Sequence, residues 1–196
     1  MPDLPPRSPK RTLATPKRSS ELLPQHNHSD RLHMKPPVFR HDLTDTDPDQ
    51  IEALVRSTGF FSSEEIAIAR ELADDALTQG DAGHYRFIVA EADSQLRGYA
   101  CFGRIPGTRS AWDLYWIVVA PESQSSGLGR AILNQVEARV ESASGDRLYA
   151  ETSSVRKYAP TRSFYERSGF DQAAMLPDFY APGDGKIIYL KLIATR

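Results

Sequence analysis

The chain has 196 residues, enough for one globular domain plus an appendage. A formal net charge of −2 argues against a dedicated nucleic-acid binder, and a single cysteine, Cys101, excludes an internal disulfide framework and any metal centre built from several thiolates, so no metal is called for. No apolar run approaches the roughly 20 residues needed to cross a bilayer, the first residues lack the apolar stretch of a secretory signal, and the cysteine usage fits a reducing compartment; a cytoplasmic protein with no membrane partner is expected.

Residues 1–35 carry seven basic side chains (Arg7, Lys10, Arg11, Lys17, Arg18, Arg31, Lys35) against three acids (Asp3, Glu21, Asp30). That excess of four positive charges leaves about six negative ones on the remainder. The stretch is crowded with Pro, Ser and His and cannot bury enough surface to offset its ordering entropy. It is therefore expected as a disordered basic tail, 1–35, ahead of a folded domain, 36–196. A plain solvated extension is the favoured reading of this tail. Met34 is an alternative start, since Met34-Lys35-Pro36-Pro37-Val38 leads straight into the first strand. A transit peptide or basic binding arm is disfavoured, because the prolines break an amphipathic helix.

The folded part opens with a short strand over Val38–His41. Asp47 is expected to cap the next helix, with Pro48 at its first position and Gln50 placed to reach back; Ile51, Leu54 and Val55 form its apolar face and Gly59 ends it. Ser62-Ser63-Glu64-Glu65 reads as a capping box, with Phe61 able to staple onto Ile66, and that helix runs through Ile68, Leu72, Ala76 and Leu77 to Gly80. Strands are predicted over 85–91, 96–104 and 111–119, then a helix over 129–142 with Ile132, Val136 and Val140 on one face. A strand over 148–153, a short helix over 161–168 behind Pro160, and strands over 170–175 and 186–192 complete the chain. The order β-α-α-β-β-β-α-β-α-β-β implies an α/β domain, a mixed sheet with helices on both faces.

The most informative stretch is Leu114-Tyr115-Trp116-Ile117-Val118-Val119-Ala120-Pro121, then Gln124-Ser125-Ser126-Gly127-Leu128-Gly129-Arg130. A buried strand ends at a proline, and a turn of small residues feeds an amphipathic helix. Free N–H groups at a helix start sum with the helix dipole into an anion site. Gly127 and Gly129 remove side chains that would hold a phosphate off the backbone, and Arg130 adds charge. A dinucleotide fingerprint would need a third Gly where Ile132 stands, and no Gly-Lys-Ser/Thr of a P-loop is present. Glycines used merely for packing the helix entry are the alternative.

Gln-x-x-Gly-x-Gly after a strand ending in Val-x-Pro resembles the cofactor signature of the GNAT (Gcn5-related) N-acetyltransferases. The segment Tyr158-Ala159-Pro160-Thr161-Arg162-Ser163-Phe164-Tyr165-Glu166-Arg167-Ser168-Gly169-Phe170 is similar to that family's second block. The resemblance spans about residues 38–194. It implies a mostly antiparallel central sheet whose strands splay apart at the cofactor site, with acetyl-CoA as acyl donor. Gln124, Ser125, Ser126, Gly127, Leu128, Gly129 and Arg130 would hold the pyrophosphate, largely through main-chain amides. Ile117 and Val119 would pair with the pantetheine arm as with an extra strand. Tyr165 would lie beside the thioester sulfur. The family often has Asn where Tyr158 stands, and Ser153 and Ser154 are candidates for the missing polar contacts.

Acyl transfer to an amine needs a neutral nitrogen, a stabilised oxyanion and a protonated leaving thiolate. The backbone at Val118 or Val119 could donate to the carbonyl oxygen. Tyr165 is the candidate general acid, Phe164 being available for the core role. Glu151 and Asp113 are both open as general base, directly or through a water, with His84 as a weaker candidate. Cys101 sits in an apolar strand and is expected to be buried and inert, which favours direct attack in a ternary complex over an acyl-enzyme. Thr58-Gly59-Phe60-Phe61 could floor the acceptor site and the loop 177–185 could close over it, where aromatics with Asp178 or Asp184 would suit a cationic amine.

The leading expectation is thus an acyl-CoA-dependent N-acyltransferase acting on a small-molecule or peptide amine, with self-association as a homodimer left open. A catalytically silent acyl-CoA sensor on the same fold is the alternative. A nucleic-acid-associated factor acting through the basic tail ranks last, given the acidic body.

Overall fold

The computed structural model describes residues 36–193; the basic stretch 1–35 and its competing readings lie outside the described residues. The elements run β1 (Val38–Arg40), α1 (Asp47–Ser57), α2 (Ser63–Gln79), β2 (Arg86–Ala92), β3 (Gln95–Arg104), β4 (Ala111–Val119), α3 (Leu128–Ser142), β5 (Arg147–Ser153), α4 (Ala159–Arg167), β6 (Asp171–Ala181) and β7 (Asp184–Leu192). No helix among the described residues is long and apolar enough to cross a membrane.

Ile51, Leu54 and Val55 are the buried face of α1, and Gly59 leaves the helix at φ +60°. The start of α1 differs from expectation. Its N-cap is Thr46, without a side-chain cap, and Gln50 reaches back to the Thr46 hydroxyl at 3.2 Å. Asp47 turns away because its carboxylate is buried against Arg40 (2.8 Å) and accepts from the Thr44 hydroxyl (3.0 Å). Burial pushes that carboxyl up, but the hydrogen bonds from Arg40 and Thr44 outweigh it and hold Asp47 below the ordinary value. In α2 both halves of the capping box form: Ser62 Oγ accepts from the Glu65 amide at 3.2 Å, and Glu65 Oε2 from the Ser62 amide at 2.8 Å.

The strands form one seven-stranded sheet in the order β1-β2-β3-β4-β5-β7-β6. Every neighbouring pair is antiparallel except β4 and β5, as α3 crosses over between them. Ile132, Leu133, Val136 and Val140 of α3 pack with Leu114, Ile117, Leu148 and Ala150 on one face. On the other, α1 and α2 bury Ile51, Val55, Leu72 and Ala73 against Phe87, Val89, Tyr99, Cys101 and Trp116. Fully burying such an aliphatic is worth about 1.5–3 kcal/mol.

Two features of the sheet position the site. The β4–β5 pairing runs only from Ala111↔Arg147 to Leu114↔Ala150, although β4 continues to Val119 and β5 to Ser153. Beyond the parting, β4 stays paired only with β3, and β5 only with β7. The edge of β4 from Tyr115 to Val119 that faces β5 therefore has no strand partner. A bulge sits at the same level: Phe102 pairs with Leu114 and Cys101 with Trp116, leaving Tyr115 as the extra residue.

The second correction concerns the predicted loop 177–185. Strand β6 extends to Ala181, and only Pro182 and Gly183 turn the chain into β7. The register slips between Leu176↔Lys186 and Ala181↔Asp184, so Pro177–Tyr180 bulge out of the ladder. Asp178, at φ +52°, accepts from the Gly183 amide at 2.6 Å and holds the hairpin end. Its carboxylate is thereby a structural brace for the turn.

Candidate active site

At the end of β4 the chain makes a one-turn 3-10 helix, Pro121–Ser123, and enters α3 through Gly127. Gln124 Nε2 donates to Val119 O at 3.1 Å and Ser126 Oγ to Ser123 O at 2.6 Å, so these side chains fold back on the turn and clear its outer side. Gly127 has φ +89°, a conformation costly for any residue with a Cβ. The first turn of α3 has no acidic residue, and among the described residues the only side-chain oxygen at its amides is Ser126 Oγ, 3.4 Å from the Leu128 nitrogen. Its N–H groups, which have no partners inside the helix, face a cleft between α3 and α4.

That cleft has a volume of about 470 Å³, with walls that include Val119, Ser123, Gln124, Ser125, Gly127, Gly129 and Arg130. The opposite wall is one face of α4: Pro160, Ser163, Phe164 and Arg167. Sequence reasoning missed these four, yet their three-to-four-residue spacing is the signature of a single helix face. Arg130 Nη1 donates to Ser168 O at 2.8 Å, tying the start of α3 to the end of α4, and Arg167 adds a second cation. A diphosphate with an extended amide arm fits this donor set, since amides, two guanidinium groups and an unpaired strand edge lie in sequence along the cleft.

The two aromatic residues of α4 differ in exposure. Phe164 is half-buried and lines the cleft, whereas Tyr165 is 1 % exposed. Its ring packs against those of Phe170 (5.3 Å), Tyr189 (5.6 Å) and Phe164 (5.7 Å). Burial, helped by a 3.0 Å hydrogen bond to Glu166, pushes the Tyr189 hydroxyl up to about 12.

The two carboxylates proposed as base differ in place. Asp113 lies within the paired part of β4, in register with Gly103 and Tyr149. Glu151 is the first residue of β5 past the parting, and its Oε2 lies 3.0 Å from Lys186 Nζ in an ion pair that lacks hydrogen-bond geometry. His84 Nε2 lies 2.5 Å from the hydroxyl of Tyr115, the bulged residue. Cys101 is fully buried. Ser153 and Ser154 do not face the cleft as polar substitutes: Ser153 Oγ is bonded to Asp184, and Ser154 Oγ accepts from the Gly185 amide at 2.8 Å. Tyr158 is buried and meets Phe60 edge-on at 5.0 Å.

Among the described residues, eight buried side-chain polar atoms have no hydrogen-bond partner. Five belong to the parted strands or to residues lining the grooves beside them: Glu65 Oε1, Trp116 Nε1, Ser123 Oγ, Glu151 Oε2 and Thr152 Oγ1. An unsatisfied buried polar atom costs about 1–3 kcal/mol, and two of the five, Glu151 Oε2 and Thr152 Oγ1, are neighbours on β5 just past the parting.

Comparison with known proteins adds independent findings. The family profile of the acetyltransferase (GNAT) domain matches residues 83–172. A GNAT-family protein from Desulfovibrio desulfuricans is 49% identical, with TM-score 0.79, over 81% of this chain and 99% of that one. The ribosomal-protein-S18-alanine N-acetyltransferase from Escherichia coli shares the fold at 21% identity, TM-score 0.64, over 82% of this chain and 96% of that one. An aminoglycoside 6'-N-acetyltransferase solved with coenzyme A shares it at 18% identity, TM-score 0.66, over 81% and 98%. No curated protein matches the chain significantly.

Proposed function

Because the chain belongs to the GNAT acetyltransferase family, which uses acetyl-CoA, we propose that it transfers acetyl from that donor to a primary amine by direct attack in a ternary complex. The observation that carries this reading is the parting of β4 from β5, which leaves a bare strand edge leading straight into a helix start that has no acidic residue of its own.

Acetyl-CoA supplies the activated acetyl group and a leaving thiolate. The amides of Ser125–Arg130, with Arg130 and Arg167, hold the diphosphate, and the edge of β4 at Ile117 and Val119 aligns the pantetheine arm. Glu151 takes the proton of the incoming ammonium, directly or through a water. We favour it over Asp113 because it stands past the parting of the strands, whereas Asp113 lies within the paired part of β4. The N–H of Val118 or Val119 stabilises negative charge on the carbonyl oxygen, worth several kcal/mol when preorganised. Tyr165, its ring clamped by three others, protonates the departing sulfur and regains a proton from the nitrogen that becomes the amide.

The test is acetyl-CoA consumption across a panel of amines, amino acids and peptides, with Tyr165→Phe alongside. Loss of the acid should lower kcat by about 100-fold with little change in the KM for acetyl-CoA. Full activity in the Phe variant would remove Tyr165 from the mechanism. The silent-sensor reading draws on one observation, the near-complete burial of Tyr165. It gains if coenzyme A binds and no acceptor turns over.

A further inference from the structure

On the α1–α2 face lies a second groove of about 640 Å³. One wall is the α1–α2 connection, Phe60 and Phe61, continuing into the first turn of α2 with Glu64 and Glu65; the other is Lys157 and Tyr158 ahead of α4, with Asp184 at the start of β7. The aromatic rings form a connected seam. Phe60 meets Tyr158 at 5.0 Å and Phe61 at 5.3 Å, and Phe61 packs on the buried Trp116 of β4 at 5.0 Å; Asp184, at the groove's other wall, is bonded to Ser153 of β5, two residues past Glu151.

Its charges are unbalanced, three carboxylates against one ammonium. Lys157 is already engaged: its Nζ donates to Phe60 O and sits 4.4 Å over the Phe60 ring. Asp184 is bonded to Ser153, but the two glutamates are less fully used. Glu64 makes no ion pair among the described residues, and Glu65 spends Oε2 on the capping box while its buried Oε1 has no partner. Aromatic faces and carboxylates together favour cations.

We infer that this groove selects acceptors bearing a second positive charge, beyond the nitrogen that is acetylated; the inference rests on the acyl-transfer reading above. The reacting nitrogen must be neutral when it attacks. A simple monoamine therefore surrenders its only charge at Glu151 and brings no cation to the groove carboxylates in the transition state. An amine with a distal cationic group keeps one charge among Glu64, Glu65 and the rings, and gains in kcat/KM rather than in ground-state binding alone.

The experiment compares three acceptors of one chain length: the α,ω-diamine, the amino alcohol and the ω-amino acid. The diamine should exceed the amino alcohol about ten-fold in kcat/KM, and the amino acid should be poorest. The diamine advantage should shrink as salt rises. In Glu64→Gln, and more so in Glu64→Lys, the ratio of diamine to amino alcohol should fall toward unity; Glu64 is an exposed first-turn residue, so both variants are expected to fold. Equal use of diamine and amino alcohol, or preference for the amino acid, would overturn the cation inference and leave acyl transfer standing. If none of the three is turned over by protein that binds coenzyme A, both fall together.

Discussion

The starts of α2 and α3 solve the same problem in opposite ways. Every helix begins with amides that lack partners. In α2 the chain satisfies them itself: Ser62 and Glu65 exchange hydrogen bonds, and Glu64 and Glu65 place negative charge at the positive end of the dipole. In α3 the cap is Gly127, and the third helical position, where α2 has Glu65, holds Arg130. An arginine there is unfavourable for the isolated helix. The contrast teaches that a helix start without its own anion, beside two arginines, is arranged for an anion from elsewhere. The start of α1 is a useful third case, since an acidic residue is present at Asp47 but is directed into the tertiary structure.

That third case should give the largest effect. Asp47→Asn removes the buried anion facing Arg40, which keeps only the part-exposed Glu91 at 2.6 Å, and should cost about 3 kcal/mol in urea unfolding at neutral pH. The sign with pH follows from the lowered carboxyl of Asp47. Its contribution is complete above the ordinary carboxylate pKa of about 4 and is lost as pH falls through the lower, folded-state value. The Asn variant should lose that acid-side slope. An unchanged slope would mean that the carboxylate does not anchor the start of α1.

Arg130→Glu gives α3 the acidic residue that α2 already has. Coenzyme A affinity measured by calorimetry should fall about 100-fold, while the melting temperature moves by only a few degrees, because the carboxylate suits the dipole even as the bond to Ser168 is lost. Undiminished affinity would break the comparison at its centre. The smallest effect belongs to Ser62→Ala, about 1 kcal/mol of stability with coenzyme A affinity unaltered. A change in affinity there would show that the two helix starts are not independent.

Local chemistry made much of this legible in advance. The capping box of α2, the glycine exits at Gly59 and Gly80, and the strand–turn–helix through Gly127 depend on neighbours in sequence. What escaped depends on distant partners. Asp47 was misassigned because Arg40 competes for it. The end of β6 is hidden in the sequence because Pro177, Asp178 and Gly183 are turn residues; here Pro177 and Asp178 lie in an exposed bulge of the strand, and of the three only Gly183 stands in the turn. The burial of Tyr165 is set by Phe170 and Tyr189, which approach from other elements. The α4 wall could have been found from the spacing of Pro160, Phe164 and Arg167, whereas the pairing of Glu151 with Lys186 needed the β5–β7 register.

The parallel contact between β4 and β5 has a mechanical consequence. The sheet consists of two antiparallel leaves, β1 to β4 and β5 with β7 and β6, stitched along a seam of four residue pairs. A molecule lying along the open part of that seam would work as a splint, lengthening the hinge line on which both leaves depend. Saturation with such a molecule should then slow amide exchange on Glu151–Ser153 and across the C-terminal leaf, well away from the helix that grips its phosphates.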